Sequence, residues 1–365
     1  MNNRVTVFQL YFFIIQTQIG VGILGLPFEV QMEAKGNAWI SILLSGVLIQ
    51  LILTLYWLLA KRYPNQNLYE YSPQLLGRFF GGATNLLYGV YGIAVMAVIL
   101  IFAVGVIKDW VLDETPRWII LAMICLVGVY LGKEKPDVIA KFHVIVSGLI
   151  LLLLVITIIA LFNYPLEIRY LFPITQTGVK EILNGVTKVY FSMIGFELLL
   201  IIYPYMKART SLSILKSASL ANVTVTSVYA YLTVVCQIVF SPREMEIIPQ
   251  PILYLVKALY IHVVERFDLL FVSIWVVNVA TSYISYLFLT LEGMKAVFKK
   301  AKRSFLAYLI CASTFLFALL ITKEEHANFL NDLLLKATVF FLLFVPFLLL
   351  GLSLIISKMN RKRST

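Results

Sequence analysis

Glu197 is a carboxylate inside a long apolar run, VYFSMIGFELLLIIYPY over residues 189–205. At membrane depth such a group needs a proton, a counter-charge or hydrogen-bond donors; left charged and unpaired it costs about 2.5–3.5 kcal/mol or more. Gly195 stands two residues before it, and Pro204 closes the run. Glycine weakens a helix by about 1 kcal/mol relative to alanine, and proline by more. The helix is therefore expected to open near Gly195. N–H groups freed at the start of its second half are the most economical donors to Glu197, since the helix dipole also favours negative charge there. Two roles stay open: a staple for a broken helix, or a group that also lies beside a ligand or couples to a proton.

The same device occurs near the N-terminus. Residues 19–27 read IGVGILGLP, with Gly20, Gly22, Gly25 and Pro27. Unwound backbone within a membrane is tolerated only where it is buried in protein or lines a cavity; close packing through small residues is the alternative. Half-helix ends offer N–H groups to an anionic head and C=O groups to a cationic one. An amino acid zwitterion matches both, and a neutral nucleoside or sugar could use the same groups. Other chemistry has no visible carrier. Cys125, Cys236 and Cys311 sit singly in apolar stretches, and His143, His262 and His326 are scattered, so no metal site is expected. No Ser/His/Asp set, H-E-x-x-H or paired intramembrane carboxylates exist, so neither an enzyme nor a cofactor is expected.

These residues must be positioned by membrane helices. Of 365 residues, 61% are hydrophobic and 13% charged, with a mean hydropathy of +0.90. A soluble globe could not hide that much apolar surface. Apolar runs of spanning length cover residues 7–33, 38–60, 82–107, 117–132, 142–162, 184–206, 217–240, 267–291, 304–321 and 334–356. They are continuous rather than alternating, which excludes a β-barrel. The fold class is an all-α integral membrane protein with about ten transmembrane helices. Breaks in spans one and six predict a five-plus-five inverted repeat, 1–165 and 166–358, within one domain covering 1–365 and ending in a basic tail, 358–365. The first run reads as a span rather than a cleaved signal, and no soluble domain is expected.

The net charge of +11 reads as topology. With both termini in the cytoplasm, 19 of the 30 basic residues fall on the inner face. That face suits anionic lipid heads, and no nucleic-acid partner is expected. The outer loop 241–266 carries Pro242, Pro249 and Pro251 and an interrupted apolar run, 252–264. It predicts one or two short helices, either a plain surface loop or a lid over an outward vestibule.

The I-G-V-G-I-L-G-L-P stretch resembles the first helix of the amino acid–polyamine–organocation (APC) transporter superfamily. With Gln9-Leu10, Gly77-Arg78-Phe79, Gly195-Phe196-Glu197 and Tyr203-Pro204-Tyr205, the chain resembles, over nearly its whole length, a narrower group: the spore germination permease family, B subunits of nutrient germinant receptors. The resemblance implies a LeuT-like fold with broken helices 1 and 6. It also implies the spore inner membrane, partnership with an A subunit and a lipoprotein C subunit, and sensing of a small nutrient, most simply an amino acid. It places the ligand at Thr17, Gln18, Gly20, Val21 and Gly22 of the first span and at Tyr190, Gly195, Phe196 and Glu197 of the sixth. Spans three and eight would face them with Tyr88, Tyr91 and Val95 and with Asn278, Thr281, Ser282 and Ser285. Sodium-coupled superfamily members use span-eight hydroxyls. Proton-coupled ones can place a lysine midway along span five, where this chain is Leu-rich with Thr157 its one polar group and Lys141 at the start. That departure favours a sensor over the alternative, a secondary amino acid or polyamine transporter. A conducting pore lacks a charged ring.

Overall fold

The computed structural model describes residues 4–172, 177–208, 210–259 and 266–363, without the side chains of Glu324 and 360–363. His262, Arg209, the segment 260–265 of the outer loop and the last two residues of the tail lie outside the described residues.

The chain is helical almost throughout. A short strand β1 (Val5–Thr6) leads into α1 (Val7–Gln18), α2 (Gly22–Ala34), α3 (Ala38–Ala60), α4 (Leu68–Leu76), α5 (Arg78–Trp110) and α6 (Arg117–Gly132). Then follow α7 (Pro136–Val146), α8 (Gly148–Leu161), α9 (Val179–Ser192), α10 (Leu198–Ile202), β2 (Met206–Lys207) and α11 (Ser211–Val239). The last elements are α12 (Pro242–Met245), α13 (Pro251–Lys257), α14 (Phe267–Val297), α15 (Arg303–Leu320), α16 (Glu324–Val339) and α17 (Val345–Arg363). Among the described residues, seven helical stretches are long and apolar enough to cross a membrane. Their outward residues are large and apolar, such as Leu51, Ile145, Leu151 and Leu316. That pattern suits helices solvated by lipid rather than water.

α14 is the axis. It packs against α5, α6, α15, α1, α8 and α7 and carries Trp275, Tyr283 and Phe288, each fully buried. Start signals agree with sequence. Thr6 and Gln9 form a capping box on α1, Asn67 and Glu70 another on α4, and Pro136 occupies the first turn of α7. The fifth apolar run thus begins six residues earlier than 142, so His143 lies inside a helix.

Three irregularities shape the bundle. The chain leaves helix geometry between α1 and α2, with Ile19 extended, and again between α9 and α10. Pro27 sits inside α2 rather than at its break, so the opening falls on Ile19–Val21. A π-turn, Phe340–Phe344, joins α16 to α17. Its cause is local: Pro346 has no N–H to offer Leu342 O, and Tyr56 donates its hydroxyl to that carbonyl instead. Tyr88 likewise serves Phe341 O at 2.5 Å.

β1 and β2 pair in parallel, Val5 opposite Met206. The chain entering α1 is thereby tied to the chain leaving α10. Nearby, Arg303 reaches Glu292 Oε1 at 2.5 Å and Tyr205 donates to Glu292 Oε2 at 3.1 Å. The segment 241–266, expected to hold one or two short helices, carries α12 and α13 among its described residues, the latter with Ile252, Leu253, Leu255 and Val256 buried.

Candidate functional site

The two breaks meet. Gly195 has φ +123, a conformation that side chains disfavour, and a Cβ there would lie 2.8 Å from Thr17 Cγ2. Gly22 approaches Ser192 so closely that an added Cβ would lie 3.1 Å from Ser192 Cβ. Gln18 Nε2 donates to Met193 O at 2.7 Å, which joins the open turns directly.

Backbone carbonyls exposed by the first break are served from other helices. The Ser282 hydroxyl lies 3.0 Å from Gln16 O and 3.2 Å from Thr17 O, Tyr229 donates to Gln18 O at 3.2 Å, and Trp275 Nε1 donates to Gly20 O at 3.3 Å. The N-terminus of α2 has no side-chain cap. Its first-turn N–H groups have no partner within the helix. Gln18 Oε1 is buried and has no hydrogen-bond partner among the described residues.

A vestibule of about 590 Å³ opens at this point. Of the candidate residues, Thr17, Gln18, Gly20, Val21, Gly22, Val95 and Ser282 line it. So do residues that sequence reasoning missed: Ile99, Phe102, Phe191, Ser192 and Tyr286 around its floor, and Glu29, Asp109, Arg117, Gln250 and Lys323 further out. Pro249 and Gln250, between α12 and α13, lie at its edge, where Trp110 donates to Gln250 Oε1 at 3.0 Å.

The remaining expected residues lie elsewhere. Glu197, Tyr88 and Tyr91 border a second, smaller cavity. Glu197 is 5% exposed; its Oε2 accepts from Gly195 N–H at 2.7 Å and its Oε1 from the Tyr286 hydroxyl at 2.7 Å. The stapling donor is thus the break's own N–H, at Gly195 rather than in α10. Phe196 is fully buried between the rings of Tyr56 and Tyr190, and the Tyr190 hydroxyl has no partner among the described residues. Tyr91 faces Thr338 at 3.0 Å. Thr281 and Ser285 turn toward Gln16 and His143: Thr281 Oγ1 lies 2.7 Å from Gln16 Oε1, and Ser285 Oγ lies 2.9 Å from His143 Nε2. Asn278 is fully buried with both amide atoms unpartnered among the described residues. His143 had no sequence signal beyond its type. Tyr286 did: it continues the four-residue spacing of Asn278 and Ser282, although an aromatic there reads as core.

The family model described as "Spore germination protein" matches residues 4–327. The chain is 30% identical to the spore germination protein GerQB of Bacillus cereus over 90% of its own length and 89% of that protein's. It is 25% identical to the spore germination protein YndE of Bacillus subtilis (strain 168), with 96% of each chain covered. It is 24% identical to the spore germination protein A2 of the same strain, again over 96% of each.

Proposed function

Because the chain belongs to the spore germination protein family, with the germination-related role that membership carries, we propose that it is the nutrient-sensing membrane subunit of a germinant receptor. The long apolar helices make it a multi-pass membrane protein. Ten spans in two inverted halves are the arrangement that best accounts for interrupted helices at α1/α2 and α9/α10. The spore inner membrane, cytoplasmic termini beside anionic lipid heads, and A-type and lipoprotein C-type partner subunits belong to the same reading.

The nutrient is a small zwitterion, most simply an amino acid, held where the breaks meet. Its carboxylate faces the uncapped N–H groups of α2, between Val21 and Gly25. Its ammonium faces Gln18 Oε1, and its side chain lies toward Val95, Ile99 and Phe102. The observation that carries this reading is the pairing of an uncapped helix N-terminus with an unmet buried acceptor on one vestibule. Binding favours one arrangement of the half-helices, by no more than the nutrient's differential affinity for the two. That shift passes to the partner subunits.

Thermal unfolding of the purified protein against amino acids, nucleosides and sugars tests it. A true ligand raises the melting temperature dose-dependently, because it binds only the folded state. The hit should disappear in Gly22→Leu, where the larger side chain meets Ser192 and fills the vestibule. No hit with well-folded protein, or a hit that survives Gly22→Leu, contradicts the site. The second reading, a secondary transporter of amino acids or polyamines, draws on the small cavity that continues beyond Tyr286. Ion-coupled counterflow by the isolated chain in proteoliposomes would replace the sensor reading with that one.

A further inference from the structure

Glu197 stands at a boundary. The Tyr286 side chain borders both the vestibule and the smaller cavity, and its hydroxyl is bonded to Glu197. On the far side of that wall, Tyr69, Tyr88, Tyr91, Gly92 and Thr290 surround the smaller cavity together with Glu197, and every one of them is buried.

Four features of this cavity converge on a positive charge. Its free space, about 20 Å³ for a water-sized particle, admits one such particle and excludes an amino acid. Glu197 has no ion-pair partner among the described residues; the groups bonded to its carboxylate are a neutral hydroxyl and backbone N–H groups. A membrane carboxylate so placed lacks the counter-charge that would offset its desolvation. Thr290 Oγ1 is fully buried with no hydrogen-bond partner among the described residues, so its lone pairs are unspent. Four tyrosines, Tyr69, Tyr88, Tyr91 and Tyr286, share the remaining wall with aliphatic residues such as Leu200 and Leu289, and tyrosine ring faces attract cations.

We propose that this cavity is a second binding site, for one small monovalent cation, an alkali ion or ammonium. Glu197 supplies the charge, Thr290 Oγ1 a neutral oxygen and the tyrosines part of the wall. The site lies across Tyr286 from the nutrient vestibule and is independent of what binds there. A water molecule would meet the size but leave the carboxylate uncompensated. A proton on Glu197 would compensate it without ion selectivity, and the experiment separates these cases.

The melting temperature of purified protein, with no nutrient present, is measured in sodium, potassium, ammonium and choline chloride at fixed ionic strength and at two pH values. The site predicts a saturable rise with one small cation over choline, which is too large to enter. Glu197→Gln removes the charge and should abolish the difference. Gly92→Ala keeps the charge but places a methyl group against Thr290 Oγ1, and should abolish it too. Equal melting in all four salts overturns the proposal. So does a rise on acidification alone, which assigns the charge to a proton, and so does a cation effect that survives in both variants. If Glu197→Gln does not fold, Thr290→Val beside Gly92→Ala carries the comparison.

Discussion

The hydroxyl of Tyr286 is one of the donors that hold a carboxylate inside the membrane, at 2.7 Å from Glu197 Oε1. Tyr286→Phe removes that donor and changes little else. A buried acceptor deprived of a partner costs about 1–3 kcal/mol, so the variant should unfold at lower temperature. Tyr130→Phe, whose ring is 70% exposed, should unfold like the parent. Equal melting of Tyr286→Phe and the parent would show that the bond contributes nothing to stability. Glu197 was legible in the sequence because a lone carboxylate in an apolar run has few explanations. Its partner was not, because Tyr286 lies 89 residues away and an aromatic on a buried helix face reads as packing. Gln18 was legible as a neighbour of the glycine motif. That its Nε2 is spent on Met193 O while its Oε1 stays free is a three-dimensional fact.

Both helix breaks were readable, since glycine marks each: Gly20 and Gly22 at the first and Gly195 at the second. Their consequences differ in kind. At Gly195 the backbone takes a conformation that costs other residues about 1–3 kcal/mol, and a side chain would also press on Thr17. Gly195→Ala should therefore destabilise by at least that amount in chemical or thermal unfolding. Gly82→Ala, with open space around it, should be neutral or slightly stabilising. Similar losses at the two glycines would mean that the break does not depend on Gly195. The π-turn at Phe340–Phe344 was not readable. Pro346 removes a donor there, but α-helices accommodate proline by several routes. The route taken here requires hydroxyls from Tyr56 and Tyr88, on helices that sequence alone does not bring near residue 342. For the same reason His143 passed as the start of a span. Only the packing of α7 on α14 places its ring 2.9 Å from Ser285 Oγ.

Across the molecule the two ends of the broken helices are treated differently. On one face β1 and β2 pair, and Arg303, Glu292 and Tyr205 tie the end of α10 to α14 and α15. From the other, the vestibule reaches down to the breaks. A sensor built this way must move at the tied face if it is to pass on a signal. Cysteines at Val5 and Met206, which are opposed in the strand pair, should cross-link under mild oxidation and silence the nutrient response until reduced. A cross-linked protein that still responds would move the signalling path elsewhere. That the chain is built of long apolar helices followed from composition, and the family from a few short motifs. The asymmetry of the faces did not, because it depends on a two-residue strand pair with no pattern of its own. The central claim is that a nutrient binds where the two breaks meet. It is tested most directly by germination dose–response curves of spores carrying Gly22→Leu beside the parent, at equal protein level. The account predicts at least a tenfold higher half-effective concentration, equivalent to about 1.4 kcal/mol of binding, with no change in response to germinants sensed by other receptors. Superimposable curves would contradict it.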